Sequence, residues 1–360
     1  MAHETVPPDV LGAFCGDPAL CTVTLLGFGN INDTFLVQGS AAPFVLQKIN
    51  SDVFPDPLTV IENFQKITAH LLHKTDGGQE TLLVASPVPT RDNRPYYRDN
   101  AGAFWRGQSY LPHASCRVLG NPGQARRVGQ MLARFHRFAA DLDVHALLDP
   151  LPGFHNLPGY LHEYDRTVRG MRLPDNEECA FCLATIDRYR PRATTLEDAR
   201  QAGILFPQPI HGDPKVDNFI FNEEGEALGL LDLDTVAMGL VHHDLGDCLR
   251  SCCSLSQRTV ETDADVLPVI FDLQLCRALL EGYFSAPDQV LTTIQREYIF
   301  TGVLLISFEL GLRFFTDHLR GNRYFKVRWD GDNLVRAVGQ FRLANDIAKK
   351  EQDIRAMILQ

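Results

Sequence analysis

Positive charge is in short supply in this 360-residue chain: 34 lysines and arginines stand against 45 aspartates and glutamates, a formal net charge of −11. A general nucleic-acid binder carries a basic footprint and an anionic membrane surface attracts one, so the balance argues against both as partners. A long clean apolar run is lacking too. The longest stretch, Tyr298 to Phe315, is broken by Thr301, Ser307, Glu309 and Arg313 and reads as a buried helix rather than a membrane span. The first ten residues, MAHETVPPDV, show no basic region and no apolar core, so no secretory leader is expected. The nine cysteines have no framework spacing. Cys179 and Cys182 form a Cys-x-x-Cys without a second pair, and Cys248, Cys252 and Cys253 have no matching histidine pair, which points to reduced core thiols in a cytoplasmic protein. Internal repeats and low-complexity tracts are missing as well. What remains is ordinary globular composition, 45% hydrophobic and 22% charged. At roughly 150 residues per domain, the length suits two domains or one bilobal fold.

The chain divides by texture. From about residue 20 to residue 111 it reads as short strands and turns: Cys21–Leu26, a turn at Gly27-Phe28-Gly29-Asn30, Thr34–Gln38 and Phe44–Ile49. A helical pattern follows on Val60, Ile61, Phe64, Ile67, Leu71 and Leu72. Further strands are expected at Thr81–Val88, Pro95–Asp99 and Ala103–Leu111, the last two joined by the hairpin turn Asp99-Asn100-Ala101-Gly102. Beyond Pro112 the pattern turns helical at Gln124–Ala140, Glu177–Tyr189, Pro268–Phe284, Ile294–Leu319 and Leu334–Ile347. One β island interrupts it: Ile210–Asp213, Phe219–Phe221 and Ala227–Leu233 around a turn at Asn222–Gly225. The expected architecture is α+β and bilobal. A small β-rich lobe, residues 1–111, meets a larger helical lobe, residues 112–360, at a hinge near Ser109–His113, with the ligand site in the cleft between them.

The β island carries the chemistry. It reads His211-Gly-Asp213-Pro-Lys215-Val-Asp217-Asn218, and fourteen residues after Asn218 an apolar strand ends at Asp232. Phosphoryl transfer to a hydroxyl needs a carboxylate to orient the hydroxyl and accept its proton, oxygen ligands for a divalent metal, and a cation for the migrating charge. Asp213, the pair Asn218 and Asp232, and Lys215 fit those three roles in turn. The spacing His-x-Asp-x-Lys-x-x-Asn matches the catalytic loop of protein-kinase-like enzymes, a bilobal fold with a catalytic β-hairpin. At this spacing Asp213 is the base, and His211 is expected to fix the loop through hydrogen bonds.

The small lobe offers a second half. Gly27-Phe-Gly29-Asn-Ile-Asn32-Asp33-Thr34 lies between two strands and is either a plain hairpin or a loop whose amides cover phosphates. Lys48 at the end of the third strand is either an exposed strand-end lysine or a phosphate-binding one. Glu62, fourteen residues on, is either a solvated helix residue or its partner. Trp105 and Arg106 read as strand core and a surface charge. The order of loop, lysine, helical glutamate, catalytic loop and metal aspartate is that of a kinase. No Asp-Phe-Gly is followed by an Ala-Pro-Glu segment, which argues against a protein kinase.

Over nearly its full length the chain resembles the aminoglycoside phosphotransferase and choline kinase superfamily, and within it the N-acetylhexosamine 1-kinase type of sugar kinase. The segments that carry the resemblance are Gly29-Asn-Ile-Asn-Asp-Thr-Phe, Val45-Leu-Gln-Lys-Ile-Asn, Val60-Ile-Glu-Asn, Gly153-Phe-His and Leu231-Asp-Leu-Asp-Thr-Val. His243-Asp-Leu-Gly-Asp-Cys-Leu-Arg250, Glu309-Leu-Gly-Leu-Arg313-Phe-Phe-Thr-Asp317, Gly321-Asn-Arg-Tyr324-Phe325 and Asp332-Asn-Leu-Val-Arg336-Ala complete the set. Gly212 and Pro214 stand where that branch usually has Asn and Thr, and Phe325 where it has an aromatic that is sometimes Trp. The resemblance implies a magnesium- and ATP-dependent kinase, monomer or homodimer, for a small-molecule hydroxyl. The implied acceptor is the anomeric hydroxyl of an N-acetylhexosamine, held by Asp213, Arg313, Tyr324 and Phe325. It implies nucleotide contacts from Asn32, Thr34, Lys48 held by Glu62, and the hinge residues Ser109, Tyr110 and Leu111. An aminoglycoside, choline-like or homoserine acceptor stands as the alternative, and a non-catalytic nucleotide-binding module as a third reading. From the residues alone, Glu309, Arg313 and Asp317 share one helix face and form either a structural ion network or a ligand-facing arginine with two orienting acids. Tyr324 and Phe325 are either core or sugar platform. Asp244 is expected to brace the catalytic loop.

Overall fold

In the computed structural model, residues 5–26, 31–39, 42–76, 80–112, 119–143, 145–255, 269–288 and 290–359 are described. The Gly27–Asn30 turn and His113 of the expected hinge lie outside them. After α1 (Pro8–Cys15), the first half builds β1 (Thr22–Leu25), β2 (Asp33–Gln38), β3 (Phe44–Ile49), α2 (Pro57–Thr75), β4 (Pro87–Val88), β5 (Tyr97–Arg98) and β6 (Phe104–Ser109). The strands form one antiparallel sheet in the order β1-β2-β3-β6-β4, with β5 on the edge of β6. Strand alternation gives this sheet two different faces. Phe35, Val37, Leu46 and Trp105 point to one face, where α1 covers them with Val10, Leu11 and Phe14. The opposite face meets α2, which starts at an Asp56 N-cap and a first-turn proline.

The second half builds α3 (Pro122–Ala139), α4 (Leu157–Val168), α5 (Glu177–Tyr189), α6 (Thr195–Gln201), β7 (Gln208–Ile210), β8 (Phe219–Phe221), β9 (Ala227–Leu230) and β10 (Ala237–Gly239). It continues with α7 (Val241–Cys252), α8 (Leu273–Phe284), α9 (Thr293–Arg296), α10 (Ile299–Leu319), α11 (Asp332–Lys349) and α12 (Glu351–Ile358). The expected long helix from Ile294 is thus two, α9 and α10. The segment Thr293–Leu319 is apolar and long enough to cross a membrane, but 78% of its apolar window is buried inside the protein, so it is the core helix of this half. Two short antiparallel ladders, β8–β9 and β7–β10, frame the His211–Asn218 loop.

The expected strand Thr81–Val88 forms only at its end. Leu83 leaves the sheet and bridges Gly229 of the β8–β9 hairpin, donating to Leu228 O at 2.9 Å and accepting from Leu230 N at 3.0 Å. The main chain before β4 therefore zips the sheet half to the β8–β9 hairpin. Helices α3 and α8 cross through glycine. A Cβ on Gly129 would lie 2.0 Å from Leu279 O, and one on Gly282 would lie 2.0 Å from Arg126 O. Gly129→Ala is expected to cost about 1–3 kcal/mol through overpacking of a rigid helix pair, read as a lower urea midpoint. An unchanged midpoint would show that the crossing adjusts.

Candidate active site

Helix α7 positions the catalytic loop from beneath. Asp244 is fully buried, and its carboxylate accepts His211 N at 2.7 Å and Gly212 N at 2.8 Å. His136 of α3 reaches the same carboxylate with Nε2 at 2.9 Å and Tyr283 with Nδ1 at 2.8 Å. Burial alone would raise the Asp244 pKa, but these donors outweigh it and hold the group below the ordinary carboxylate value. The brace expected of Asp244 is therefore present. His211 acts on the loop as expected: Asp213 N donates to its Nδ1 at 3.3 Å, which leaves Nε2 to donate to Leu231 O at 2.9 Å. Burial lowers its pKa, so the ring is neutral and serves as a hydrogen-bond post.

Asp213 and Lys215 form an ion pair at the loop's tip, each about 30% exposed, so both stay reachable from solvent. Burial would raise the Asp213 carboxyl, but Lys215 reverses this and keeps it low; burial would lower the Lys215 ammonium, but Asp213 and Asp232 raise it. Asn218 donates its side-chain amide to Asp213 O at 2.7 Å and Oδ2 at 3.2 Å, so its Oδ1 keeps free lone pairs. The backbone of Asn218 accepts from Leu231 N at 2.8 Å, which sets Asp232 beside it. Asp232 takes a left-handed conformation, φ 62° and ψ 60°, which costs a non-glycine residue energy and marks a specific orientation. The enclosing cleft and the neighbouring Asp234 push its carboxyl up to about 7. Part of the residue's surface stays exposed, and its carboxylate makes no hydrogen bond among the described residues. Asn218 Oδ1 and the Asp232 carboxylate are hard oxygen donors beside excess negative charge, a set that fits a magnesium ion sharing its remaining ligands with phosphate and water.

Glu309, Arg313 and Asp317 assemble differently from the expected ion network. Glu309, 4% exposed, pairs with His155 Nδ1 at 3.0 Å, and His155 Nε2 meets Gly212 O at 2.9 Å. Burial works against a charged His155, yet Glu309 outweighs it and raises its pKa. Asp317 accepts Arg323 N and Tyr324 N at 2.8 Å, Phe325 N at 3.0 Å and Asn333 Nδ2 at 3.0 Å. Both acids are therefore occupied, and the Glu309–Arg313–Asp317 network does not form. Arg313 sits in a cage of four rings, Phe154, Tyr160, Tyr324 and Phe325, at 5.0–5.4 Å from their centroids. Its hydrogen bond is to Tyr324 Oη at 3.3 Å. The cage touches the catalytic loop through the consecutive residues Phe154 and His155. Nearby, Asp247 of α7 is 6% exposed, accepts Arg250 Nε at 2.8 Å with Oδ1, and leaves Oδ2 buried without a hydrogen-bond partner among the described residues. Asp213 and Arg250 both act on its charge, which places this pair beside the Asp213 carboxylate.

In the small lobe, several expectations need correction. Lys48 pairs across the sheet with Asp33 and Trp105, so it lies on the face that α1 covers. Glu62 is exposed and bridges Lys66 at 3.7 Å, because Val60, Ile61, Asn63 and Phe64 take the buried face of α2. The Lys48–Glu62 pair does not form. Arg106, expected at the surface, is 2% exposed. The Asn32 side chain donates to Asp234 Oδ2 at 2.6 Å and accepts Asn50 N at 2.8 Å, and Thr34 Oγ1 accepts Gln47 Nε2 at 3.1 Å. Both side chains thus brace the lobe. Ser109 N donates to Ser86 O at 2.8 Å, and Ser109 Oγ accepts Ser86 N at 2.9 Å, so its amide is not free for a ligand. Tyr110 and Leu111 follow the end of β6 outside any ladder. Sequence alone assigns no role to Phe154, His155, Tyr160, Gln47, Arg106, Asp247 or Arg250. The Gly153-Phe-His motif is the one available signal for the first two.

A small antiparallel sheet with one helix, a larger helical half, and a His-x-Asp-x-Lys-x-x-Asn loop between them define a kinase-like phosphotransferase with an alcohol acceptor. A profile of the phosphotransferase enzyme family (APH) matches residues 22–280, and the chain belongs to that family. Among solved structures it is similar to an aminoglycoside phosphotransferase from Alicyclobacillus acidocaldarius, with 14% identity, TM-score 0.66, and coverage of 99% of this chain and 98% of that one. A microcompartment-associated aminopropanol kinase matches at 15% identity and TM-score 0.62, with 98% of each chain covered. The amicoumacin kinase hAmiN, solved with AMP-PNP, Ca²⁺ and Ami, matches at 16% identity and TM-score 0.57, covering 93% of this chain and 89% of that one.

Proposed function

We propose that the protein transfers the terminal phosphoryl group of ATP, with magnesium, to the anomeric hydroxyl of an N-acetylhexosamine or a closely related sugar. The observation that carries the choice of acceptor is Arg313. It is a guanidinium inside an aromatic cage, and no carboxylate lies within ion-pair distance of it among the described residues. Such a cation repels an ammonium-bearing acceptor and favours a ligand that presents carbonyl or hydroxyl oxygens. The half-buried rings of Tyr324 and Phe325 suit the apolar face of a sugar ring.

In this reading Asp213 orients the acceptor hydroxyl and takes its proton. Lys215 turns from Asp213 toward the charge on the migrating phosphoryl group, and Asn218 and Asp232 hold the metal. When bound, the metal neutralises phosphate charge. Rate enhancement comes from positioning and preorganised electrostatics. The eight described cysteines are all free and most are buried, which supports a reduced, cytoplasmic setting. The unpartnered Oδ2 of Asp247 favours a second reading, an amino alcohol whose ammonium pairs there.

Phosphorus NMR of the protein with Mg-ATP and N-acetylglucosamine decides between them. A new phosphate signal coupled to the anomeric proton is expected. Coupling elsewhere on the sugar rejects the 1-kinase assignment. No sugar phosphate, together with turnover of an amino alcohol, establishes the second reading.

A further inference from the structure

The cation of the small lobe that reaches the metal-binding loop comes from a strand other than the one that carries Lys48. The β2–β3–β6 register gives two adjacent rows of side chains on opposite faces. One row is Asp33, Lys48 and Trp105, on the α1 side, where Asp99 accepts Trp105 Nε1 at 2.8 Å and feels the charge of Lys48. The other row is Thr34, Gln47 and Arg106, on the α2 side. There the Arg106 guanidinium lies over the Phe64 ring at 4.6 Å. Gln47 Oε1 accepts Arg106 Nε at 3.1 Å and Nη2 at 2.6 Å, and Nη2 also forms an ion pair with Asp234 Oδ1.

Arg106 and Asp234 are both almost fully buried, and Asp234 stands two residues from Asp232. One guanidinium nitrogen, Nη1, is buried without a hydrogen-bond partner among the described residues. A buried guanidinium with two unmade donors is costly, and the ligand that satisfies it best is a charged oxygen. Asp232 feels the positive charge of Arg106, so that charge extends to the metal-binding loop.

We propose that Arg106, anchored by Gln47 and Asp234, supplies the small lobe's positive charge to the phosphates of the bound nucleotide in place of Lys48. The proposal rests on the nucleotide-dependent kinase reading above. It also accounts for Asp234, which holds the cation of one lobe against the metal loop of the other.

The test is calorimetric binding of Mg-AMP-PNP to the full chain, with circular dichroism and thermal melting to verify folding. Wild-type protein is expected to bind; no binding would overturn the nucleotide reading itself and this inference with it. Arg106→Gln is expected to weaken binding at least about tenfold, about 1.4 kcal/mol, and Lys48→Gln less than about twofold. Adding Gln47→Lys to Arg106→Gln puts an ammonium on the same face of the neighbouring strand and is expected to recover part of the loss, which a purely structural arginine would not allow. Where Arg106→Gln fails to fold, Arg106→Lys keeps the charge without the fork and is expected to weaken binding about fivefold. Wild-type affinity in a folded Arg106→Gln or Arg106→Lys variant overturns the proposal, as does a tenfold loss in Lys48→Gln.

Discussion

Asp213→Asn is expected to lower turnover by about 10²–10⁴-fold while leaving nucleotide affinity within a factor of about two. Asparagine keeps the shape of the side chain and one acceptor oxygen, but it cannot take a proton. The loop around it has its own supports. His211 and Asp244 hold the main chain, and Asn218 still has Asp213 O at 2.7 Å. The substitution therefore removes the proton acceptor and the counter-ion of Lys215, and little else. The measurement is kcat with the acceptor identified by NMR, paired with calorimetry of Mg-AMP-PNP. Turnover within tenfold of wild type would take Asp213 out of the role of base. Unchanged nucleotide binding in a wild-type protein with no turnover on any acceptor would instead favour the non-catalytic module.

Asp244→Ala is expected to destabilise the fold by about 3–5 kcal/mol, the range for removing one partner from a buried charged network. The alanine leaves two buried amides, His211 N and Gly212 N, and the His136 imidazole without their acceptor. None of these groups can turn to water, because α3, α7 and α8 enclose them. A urea titration gives the value, and a loss under about 1 kcal/mol would show that the loop is held from elsewhere. At temperatures where the variant stays folded, kcat is expected to fall as well, because Gly212 sits directly before Asp213 and shares the brace.

The two substitutions separate what could be read along the chain from what could not. The His211–Asn218 loop was legible because its spacing is local. Asp213, Lys215 and Asn218 lie within six residues, and the hairpin that carries Asp232 follows at once. The helices with a one-sided apolar pattern, α2, α3 and α11, were legible for the same reason. Helix α7 was not. Val241, Leu245, Cys248, Leu249 and Cys252 do fall at helical spacing, but the segment is short, no side chain caps its start, and eleven of its twelve residues are buried, the polar ones included, which spacing does not foretell. Yet α7 supplies Asp244, Asp247 and Arg250.

Lys48 shows a different limit. Composition and position both favour a lysine at the end of the third strand, but a strand has two faces, and a shift of one residue changes which face a side chain takes. Register with β2 and β6 puts Gln47, not Lys48, against α2, and places a buried arginine beside it. In the same way, helical spacing correctly put Glu309, Arg313 and Asp317 on one face, but could not show that His155 and the 323–325 backbone claim the two acids first.

Short-range spacing and periodicity were enough to specify the bilobal α+β plan and the phosphotransferase class, because each is encoded among near neighbours in the chain. Packing settled the rest: that Arg106 is buried against Asp234 while Lys48 takes the other sheet face, that Arg313 is caged by rings with no carboxylate in ion-pair distance among the described residues, and that α7 braces the loop before Asp213. Those outcomes draw on partners as far as 128 and 154 residues apart in the chain. They follow from strand register and from competition among buried polar groups for a limited set of hydrogen bonds, which no local pattern records.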